Sequence, residues 1–578
     1  MIVLVACVLL GGCVRGGQQA TSNPTSAVVP TAPPAAPAAV PQPTLVASPL
    51  PAAAAIEPFP LQAGWWDTAV CYEVFVRSFY DSDGDGIGDL NGLIEKLDYI
   101  NDGNPAAQQD LGANCIWLMP IMEAKSYHGY DTLDYYSVEQ DYGSNDDFKR
   151  LIDEAHKRGI KVMIDLVLNH TSSDHPWFQE ALRDPASPYR EYFIWSPQDP
   201  GYRGPWGAVA WHKSPAAAEY FYGLFWDGMP DLNYRNPAVT AEAQKISSFW
   251  RNEMGADGFR LDAIKHLIED GTKQEHTPET LAWLRGYRAF LDRAAPGTFT
   301  VGEIFDATPT ILQPYYPDQL DSYFVFDLGG RIIAAAAQSN GRPFASAAQR
   351  VEDGIPFQRY APFLTNHDQN RAMNFLGGDV SKAKIAATAL LTLPGMPFVY
   401  YGEEIGMLGE KGSPPKVDEP LRTPMQWSAE AGGGFSGGQP WQALQPNYSE
   451  VNVAAQASDA DSLLNLYRKL IHLHTTTPAL AQGSLTRLES SENAVAAYLR
   501  QHGDQAVLVV LNFGKEQVDG ATLDLEASAL APGAYELAPL LGDQPGAQLA
   551  VGMGGSVSGY TPLPELAPRT GYIFELRP

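Results

Sequence analysis

Four short runs of the sequence end in groups that could carry acid–base or nucleophilic chemistry. They cover residues 165–170, 258–262, 302–303 and 365–368, and their ionisable side chains are Asp165, His170, Arg260, Asp262, Glu303, His367 and Asp368. A single aspartate at a strand end is usually a helix cap or turn residue, and a single histidine is usually structural. Four such runs along one chain are hard to attribute to caps, and they indicate one polar site.

The carboxylates of these runs suit cleavage of a glycosidic bond with retention of configuration. That reaction uses an ionised carboxylate as nucleophile and a protonated carboxyl as acid, about 5–5.5 Å apart. Arg260 lies two residues before Asp262, so both side chains share one face of a strand, and the cation would keep Asp262 ionised. Glu303 has no basic neighbour in sequence, and other carboxylates of the site would raise its pKa and keep it protonated.

The elements that must position these groups are short β-rich runs that alternate with helical patterns from residue 65 onward. The eight runs predicted as strands are 71–79, 115–121, 161–170, 257–264, 299–305, 322–328, 360–368 and 398–405. Several are apolar at their centres, as buried parallel strands are. Eight strand–helix units predict an α/β fold, a (β/α)8 TIM barrel over residues 63–477, with its active site at the C-terminal ends of the strands.

Two further domains are predicted. An aromatic, Gly- and Pro-rich stretch at about 171–236 follows the third strand. It is too long for a plain loop and predicts an inserted domain, domain B. At 478–578, short strands separated by Gly, Asp and Pro turns predict a C-terminal antiparallel β-sandwich.

The four polar runs resemble the four signature regions of the α-amylase superfamily of glycoside hydrolases, family thirteen. Those regions stand here as Asp-Leu-Val-Leu-Asn-His (165–170), Gly-Phe-Arg-Leu-Asp-Ala-Ile-Lys-His (258–266), Gly-Glu-Ile-Phe (302–305) and Phe-Leu-Thr-Asn-His-Asp (363–368). A fifth segment, Met-Pro-Asp-Leu-Asn (229–233), resembles the family's marker near the end of the inserted domain. The resemblance runs from about residue 65 to the C-terminus and includes the domain order.

The resemblance implies roles for individual residues. It implies that Asp262 is the nucleophile, that Glu303 is the acid/base, and that Asp368 binds ring hydroxyls and stabilises the distorted sugar. The other implied substrate contacts are a stacking Tyr130, then His170, Arg260 and His367 on the same sugar unit, and Lys265 and His266 on the leaving-group side.

A second signal is the segment 81–89, in which carboxylates alternate with glycines. Such spacing wraps a hard cation such as Ca²⁺. The segment is not an EF-hand, because its twelfth position is Gly92 and not Glu; the alternative is a Gly/Asp turn without an ion. By analogy with oligo-1,6-glucosidases, the predicted calcium ligands are Asp81, Asp83, Asp85, the Ile87 carbonyl and Asp89. Many α-amylases carry a second calcium at the position of Asn169.

Several residues bear on which member of the family this chain resembles. Ala263 after the nucleophile favours α-1,4 bonds, because enzymes that prefer α-1,6 bonds have Val there. Exo-glucosidases usually carry an acidic residue three positions before the stacking tyrosine, whereas Tyr127 stands here and favours an open groove. The segment 422–427 and the predicted calcium loop at 81–89, in contrast, resemble the oligo-1,6-glucosidases. Met229 resembles a group intermediate between those enzymes and neopullulanases.

We therefore expect an endo-acting α-amylase that degrades starch and maltooligosaccharides. The alternatives are an α-glucosidase or cyclomaltodextrinase, or a transglycosylase such as trehalose synthase that uses the same site. A non-catalytic glucan-binding protein would lack one of the three carboxylates, and Asp262, Glu303 and Asp368 are all present.

The N-terminus predicts export. Residues 2–10 are almost continuously apolar and lead into Leu-Gly-Gly-Cys at 10–13, although no Lys or Arg precedes them. The run is too short to span a bilayer, and residues 1–13 resemble a bacterial lipoprotein signal in which Cys13 carries lipid. Residues 14–62 are rich in Ala and Pro and predict an extended tether. We expect an exported protein, extracellular or anchored at the cell surface, whose membrane contact is a lipid on Cys13.

Composition limits the partners. The chain has 578 residues, 45% of them hydrophobic, and a formal net charge of -28. Such acidity argues against nucleic acid and anionic membrane surfaces as partners, and it fits a soluble protein that handles a neutral ligand or one that holds cations. We expect a monomer whose partner is its α-glucan substrate. Cys71 and Cys115 fall in neighbouring predicted strands. A disulfide between them and two buried free thiols are the two alternatives, and free thiols are favoured.

Overall fold

The computed structural model describes residues 64–305, 307–356 and 358–578. The predicted signal segment at 1–13, its lipid-bearing Cys13 and the predicted tether at 14–62 lie outside the described residues. In the described part, no helix has the length and apolar character needed to cross a membrane.

Strands occur throughout the described chain. They are β1 (Cys71–Val74), β2 (Cys115–Leu118), β3 (Met122–Ala124), β4 (Thr132–Val138), β5 (Lys161–Leu166), β6 (Trp195–Ser196), β7 (Trp211–Lys213), β8 (Tyr220–Tyr222), β9 (Gly258–Leu261), β10 (Phe299–Gly302), β11 (Ser322–Tyr323), β12 (Phe398–Tyr400), β13 (Ser484–Ser490), β14 (Val495–His502), β15 (Gln505–Asn512), β16 (Val518–Asp519), β17 (Leu523–Leu525), β18 (Gly533–Leu541), β19 (Gly546–Val551), β20 (Val557–Tyr560), β21 (Glu565–Leu566) and β22 (Thr570–Arg577).

Most α-helices of the described chain lie between the barrel strands, and the last three follow β12 and precede β13. They are α1 (Val76–Phe79), α2 (Leu90–Glu95), α3 (Leu97–Ile100), α4 (Asn145–Lys157), α5 (Pro176–Arg183), α6 (Pro237–Ser248), α7 (Pro278–Ala294), α8 (Pro309–Leu312), α9 (Phe326–Gln338), α10 (Arg342–Gly354), α11 (Ala372–Phe375), α12 (Val380–Leu390), α13 (Val453–Ala457), α14 (Leu463–Thr476) and α15 (Pro478–Gln482). A π-helical turn, Phe249–Glu253, extends α6.

A parallel sheet forms the barrel, with strand order β11-β10-β9-β5-β2-β1-β12. Two isolated parallel bridges, Phe324 with Ala361 and Phe363 with Phe398, join its two ends. The segment around 361–363 therefore occupies the seventh strand position, between β11 and β12. The predicted TIM barrel is confirmed in fold class.

The predicted strand runs were wrong in length. The run 71–79 ends as a strand at Val74, and its remainder forms α1; the run 322–328 ends at Tyr323, and α9 begins at Phe326. The run 360–368 contributes bridges and no continuous strand. In each case the chain leaves the sheet at the barrel mouth while its side chains stay buried, and a buried apolar helix has the same composition as a buried strand.

Side chains from alternate strand positions, together with others from the segments that flank the strands, fill the barrel below this mouth. The buried group consists of Trp66, Ala69, Cys71, Cys115, Trp117, Met163, Phe299, Val301, Phe324, Phe326, Ala361, Phe363, Met396 and Phe398. Their packing makes the barrel interior a solid core, so polar groups can gather only at its ends.

The favoured prediction of free thiols at Cys71 and Cys115 was wrong. The two residues are directly opposite in the parallel register of β1 and β2, with a Cα–Cα distance of 4.3 Å, and form a disulfide. Sequence places the two cysteines 44 residues apart. Only the register of the sheet brings them face to face.

The inserted segment and the C-terminal part each have a sheet of their own. After β5 the chain forms α5 and a three-stranded sheet of order β6-β8-β7. Antiparallel bridges from His170 to Asp231 and from Phe193 to Leu232 hold the ends of this segment together. At the C-terminus an eight-stranded antiparallel sheet has the order β19-β18-β22-β15-β14-β13-β17-β20. Its edges meet where the Tyr560 hydroxyl donates to the Ala547 carbonyl at 2.6 Å.

Candidate active site

One buried guanidinium organises the carboxylates at the barrel mouth. Nη1 of Arg260 lies 2.8 and 3.0 Å from the two carboxylate oxygens of Asp165 and 2.6 Å from Oδ1 of Asp262. Its Nη2 lies 3.1 Å from Oε2 of Glu303. The Arg260 guanidinium also lies 5.4 Å from the ring centre of Trp117. Three carboxylates from three neighbouring strands therefore converge on one cation.

Strand register explains why Asp262 and Glu303 are neighbours. Leu261 of β9 pairs with Gly302 of β10, so the residue that follows each strand projects from the same edge. Ala263 then adopts φ 49°, a left-handed conformation. Its N–H donates to Oε2 of Glu303 at 3.0 Å. The turn that ends β9 thus supplies a second donor to Glu303.

Asp368 is held from the other side of the mouth. Its Oδ1 lies 2.8 Å from Nη2 of Arg422, and its Oδ2 lies 3.2 Å from Nε2 of His367. His367 is fully buried and uses Nδ1 to bind Glu73. The side chain of Asp368 is 37% exposed, whereas those of Asp262 and Glu303 are 10% and 12% exposed. The site is therefore most open to solvent at Asp368.

Tyr130 connects the two sides of the site. Its hydroxyl donates to Oδ2 of Asp165 at 3.0 Å and lies 2.6 Å from Nε2 of His367. Its ring lies nearly parallel to that of His367, with centres 5.7 Å apart. His170 lies 3.0 Å from the Tyr130 carbonyl through Nε2, and a carbonyl only accepts, so Nε2 carries the proton.

Lys265 and His266 are close to the carboxylates in sequence but make separate contacts. Nζ of Lys265 lies 2.8 Å from Oε2 of Glu275. Nδ1 of His266 lies 2.8 Å from the Gln274 carbonyl. Both contacts are to the loop that follows β9. Within the described residues, neither side chain forms a hydrogen bond or ion pair with Asp262.

Burial and charge act in opposite directions on the two inner carboxyls. Burial raises the pKa of Glu303, the Arg260 charge opposes the rise, and the carboxylates of Asp262 and Asp368 add to it. Burial also raises the pKa of Asp262, and both the charge and the hydrogen bond of Arg260 oppose it. The closer contact to Arg260 belongs to Asp262, so a proton shared within the site belongs on Glu303.

Asp368 and His367 form a charged pair. Burial acts to raise the pKa of Asp368, but the charge and hydrogen bond of His367 and the charge of Arg422 outweigh it and hold that pKa well below its usual range. Burial acts to lower the pKa of His367, yet Asp368 and Glu73 raise it to about 9. At neutral pH His367 is therefore a cation and Asp368 a carboxylate.

Sequence reasoning missed two residues of this site. Glu73 lies in β1 and its carboxylate binds His367. The sequence feature that could have indicated its role is a glutamate inside a short, mostly apolar strand. Arg422 binds Asp368, and its Nε donates to the His367 carbonyl at 3.1 Å. Arg422 is the first residue of the segment 422–427, whose sequence was interpreted only as a marker of the family.

The segment 81–89 gathers some of its predicted ligands. Carboxylate oxygens of Asp81, Asp83 and Asp89 lie within 4.8 Å of one another. Asp85 is outside this group and accepts a hydrogen bond from the Ile87 amide at 2.7 Å. In the described part of the chain, none of these aspartates forms an ion pair with Lys or Arg. An all-oxygen, negatively charged donor set of this kind fits a hard cation.

The side-chain contacts of Asn169 bear on the second calcium position that many α-amylases carry. Its side-chain amide donates to Oδ2 of Asp231 at 3.1 Å. Among the described residues, its Oδ1 is buried and has no hydrogen-bond partner.

Comparisons with known proteins agree on one family. Residues 73–483 match the family model described as the alpha-amylase catalytic domain. Alpha-amylase 3 of Dictyoglomus thermophilum is 40% identical over 458 residues, which cover 78% of this chain and 86% of that protein. Trehalose synthase/amylase of Mycolicibacterium smegmatis is 35% identical over 524 residues, covering 79% of this chain and 85% of that protein. The crystal structure of alpha-amylase from H.orenii superposes with a TM-score of 0.75 at 38% identity, covering 88% of this chain and all of that one.

Proposed function

The chain belongs to the α-amylase family of glycoside hydrolases, and on this premise we propose that it is a retaining, endo-acting hydrolase of α-1,4-linked glucans. The observation that carries the proposal is the shared guanidinium: Arg260 contacts Asp262 at 2.6 Å and Glu303 at 3.1 Å. The substrates are starch and maltooligosaccharides.

In the first step the Asp262 carboxylate attacks the anomeric carbon. The Arg260 contact supports this role because it favours the ionised form of Asp262. Glu303 donates its proton to the glycosidic oxygen as the bond breaks, so the leaving sugar departs with a neutral hydroxyl. The product of this step is a glycosyl ester on Asp262.

In the second step Glu303, now ionised, takes a proton from water, and the water oxygen attacks the anomeric carbon. The ester to Asp262 breaks and returns the carboxylate, so the configuration is retained. Asp368 binds ring hydroxyls throughout, and its pairing with Arg422 and His367 keeps it an acceptor. Tyr130 stacks on the same sugar, and His170, Arg260 and His367 hold it.

Preference for α-1,4 bonds and internal cleavage rests on the neighbours of the site. Ala263 adopts a positive φ, which costs more for the β-branched Val that α-1,6-specific relatives carry. Tyr127 packs against Trp441 with ring centres 5.3 Å apart and brings no carboxylate to the end of the groove. Lys265 and His266 complete the leaving-group side.

A product time course tests the proposal. Soluble starch, pullulan, β-cyclodextrin and maltose are incubated side by side. We expect a mixture of maltooligosaccharides from starch at early times and a rapid loss of iodine staining. Release of glucose alone from chain ends contradicts endo-acting hydrolysis. Faster cleavage of β-cyclodextrin than of starch contradicts the assignment of starch as substrate and favours a cyclomaltodextrinase.

Transfer is the second candidate, favoured by the similarity to a trehalose synthase/amylase. A transferase would form the same ester on Asp262 and pass the sugar to another sugar in place of water. Maltose distinguishes the two reactions. Glucose alone indicates hydrolysis, whereas trehalose or longer oligomers indicate transfer.

The cation proposed for the segment 81–89 is Ca²⁺. Asp81, Asp83 and Asp89 would hold it, with Asp85 and the Ile87 carbonyl as further ligands. When bound, the ion would neutralise carboxylates that otherwise repel one another and so stabilise the loop. Its chemistry is structural, and no step of hydrolysis uses it.

Localisation is proposed from the N-terminal sequence alone. The protein is exported and anchored at the cell surface by a lipid on Cys13. Cells that express the protein are labelled with radioactive palmitate. Label in the wild type and its loss in Cys13→Ala are expected; equal labelling of both rules out the anchor.

A further inference from the structure

The inserted segment carries two half-exposed tryptophans, Trp206 and Trp226, each 50% exposed. Trp206 differs from Trp226 in its neighbours. Its ring centre lies 5.6 Å from that of Phe225 and 5.5 Å from that of His266, which meets it edge-on. Within the described residues, Trp226 makes no ring contact with either. We call Trp206, Phe225 and His266 the aromatic platform.

A tight turn holds Trp206 in place. The Gly207 amide donates to the Gly204 carbonyl at 2.9 Å, and the Gly204 amide donates to the Ala208 carbonyl at 2.9 Å. Pro205 occupies the second position of this turn, where its fixed φ is favourable, and Gly207 has the positive φ of 75° that closes it. The exposed face of Trp206 is therefore pre-organised, so little conformational entropy is lost when a ligand covers it.

The platform stands beside the turn that follows the proposed nucleophile, and in that turn the Ala263 amide donates to Glu303. His266 ends the short helix Ile264–His266, which directly follows Asp262 and Ala263. Phe225 also contacts the ring of His170, with centres 5.2 Å apart. The platform therefore lies over the ends of β5 and β9. Asp368 follows the seventh strand position, on the opposite side of the barrel.

The surface of the platform is neutral. Burial lowers the pKa of His266 to about 4, so its ring carries no charge at neutral pH. Its Nδ1 faces the Gln274 carbonyl. A neutral, flat aromatic face suits the C–H face of a sugar ring better than an ionic ligand.

We propose that the aromatic platform binds the first glucose unit beyond the bond that is cut, with Trp206 stacked on that sugar. The inference rests on the proposed function, because it takes Glu303 as the group that protonates the leaving oxygen. The bound unit is the leaving group in hydrolysis and the acceptor in transfer. Trp206 therefore determines how efficiently long chains are cut and what fraction of the products arises by transfer.

The test compares two substrates in one set of variants. Maltohexaose places sugars on both sides of the cut, whereas α-maltosyl fluoride has no sugar on the leaving side. In Trp206→Ala we expect kcat/KM for maltohexaose to fall about tenfold, because binding energy from that sugar lowers the barrier. For α-maltosyl fluoride we expect a change within about twofold, since no contact is lost.

Two further variants control the experiment. Trp206→Phe keeps a stacking face, and we expect it to retain most of the wild-type ratio between the two substrates. Trp226→Ala removes a tryptophan of equal exposure from the same segment, and we expect both substrates to be unaffected. With concentrated maltose, the share of transfer products is expected to fall only in Trp206→Ala.

Three results overturn the inference. Trp206→Ala could retain the wild-type ratio between the two substrates, it could lose both activities equally, or Trp226→Ala could reproduce its effect. The wild type separately tests the proposed function, because its turnover of α-maltosyl fluoride needs Asp262 but not the platform. If the wild type turns over neither substrate, the proposed function fails and the platform with it.

Discussion

At the residue scale, the site separates carboxyl groups that are chemically alike. Asp262, Glu303 and Asp368 are all influenced by the charge of Arg260, but Glu303 and Asp368 have further partners that differ. Ala263 donates its amide to Glu303, while His367 and Arg422 flank Asp368. The neighbours of each carboxyl group, and not its residue type, therefore set which group carries the proton and which two stay ionised, as the proposed reaction requires.

Glu303→Gln tests the assignment of the proton donor. An amide has the shape of the acid but cannot transfer its proton, so kcat/KM for maltohexaose is expected to fall by about 1,000-fold or more. Binding of maltohexaose, measured by calorimetry, is expected to persist. In the wild type, activity must fall as pH rises through the pKa of Glu303. Because burial raises that pKa, the fall in activity is expected at a higher pH than for an ordinary glutamate. Unchanged turnover in the variant contradicts the role.

His367→Asn tests the charged pair through stability. The pKa of His367 is raised from 6.5 to about 9 in the folded protein. A raised pKa contributes stability below pH 6.5 that disappears as pH rises through 9, and the shift corresponds to about 3 kcal/mol. Urea unfolding from pH 6 to pH 9.5 measures the effect. The free energy of unfolding should decline across this window more steeply in the wild type than in the variant; parallel curves contradict the pairing.

At the scale of elements, two loops that are distant in sequence form one unit beside the barrel mouth. Within 81–89, the backbone amides of Gly84 and Gly86 donate to Asp81 at 2.7 and 2.8 Å. The Asp81 amide donates to the Phe435 carbonyl at 3.0 Å, and the Trp441 amide donates to the Gly86 carbonyl at 2.9 Å. Trp441 in turn stacks on Tyr127 of the site. The acidic loop is thus joined to the groove by a continuous set of contacts.

Chelation tests the proposed cation. A ligand that binds only the folded state raises its stability by RT ln(1 + L/Kd), where L is the free ligand concentration, so EDTA should lower the Tm and added Ca²⁺ should restore it. Asp83→Asn is expected to abolish this response. Asp199→Asn, which changes an exposed aspartate of the inserted segment, is expected to retain it. No shift with EDTA, together with no metal by mass spectrometry, rules the cation out.

The bond between Cys71 and Cys115 ties β1 to β2. A non-reducing digest is expected to contain one peptide pair linked through these residues, which separates on reduction. Replacing both by Ser should lower the free energy of unfolding by about 2–4 kcal/mol, because the bond closes a long loop in the unfolded chain. Two free thiols under denaturing, non-reducing conditions contradict the bond.

At the scale of the whole molecule, the C-terminal sheet is fastened to the barrel through buried polar contacts. Arg500 of β14 is fully buried and donates to the Thr392 carbonyl of the barrel part. It also donates to the carbonyls of Leu480 at 2.6 Å and Gly483 at 2.8 Å, which lie just before β13. The Tyr498 hydroxyl shares a hydrogen bond with the Thr392 side chain. These contacts make the C-terminal part an integral support of the barrel.

Arg500→Met tests this support. The change leaves three buried carbonyls without their donor, and the free energy of unfolding is expected to fall by about 3 kcal/mol or more. Arg577→Met provides the control, because that side chain is 62% exposed and its loss should change little. At 25 °C both variants are expected to keep wild-type kcat/KM, since Arg500 is remote from the site. Equal stability of the two variants contradicts the role of Arg500.

Much of the architecture could be predicted because it depends on local patterns. Apolar runs such as 161–166 recur with helical segments between them, and this alternation is a property of neighbouring residues. The ends of the elements were less predictable. Residues 76–79 and 326–328 carry buried apolar side chains that suit either a strand or a helix, namely Val76, Phe79, Phe326 and Leu328. Only packing at the barrel mouth decides that these segments are helical.

The sequence by itself determined the family and the barrel, and it predicted the residues of the site, because the motifs that contain Asp262, Glu303 and Asp368 follow in order along the chain. Only the tertiary structure decided their partners. Arg260 serving both Asp262 and Glu303, Arg422 pairing with Asp368, and Cys71 meeting Cys115 all depend on strand register. Register is a long-range property, since it is set by how a whole sheet closes and not by any one segment.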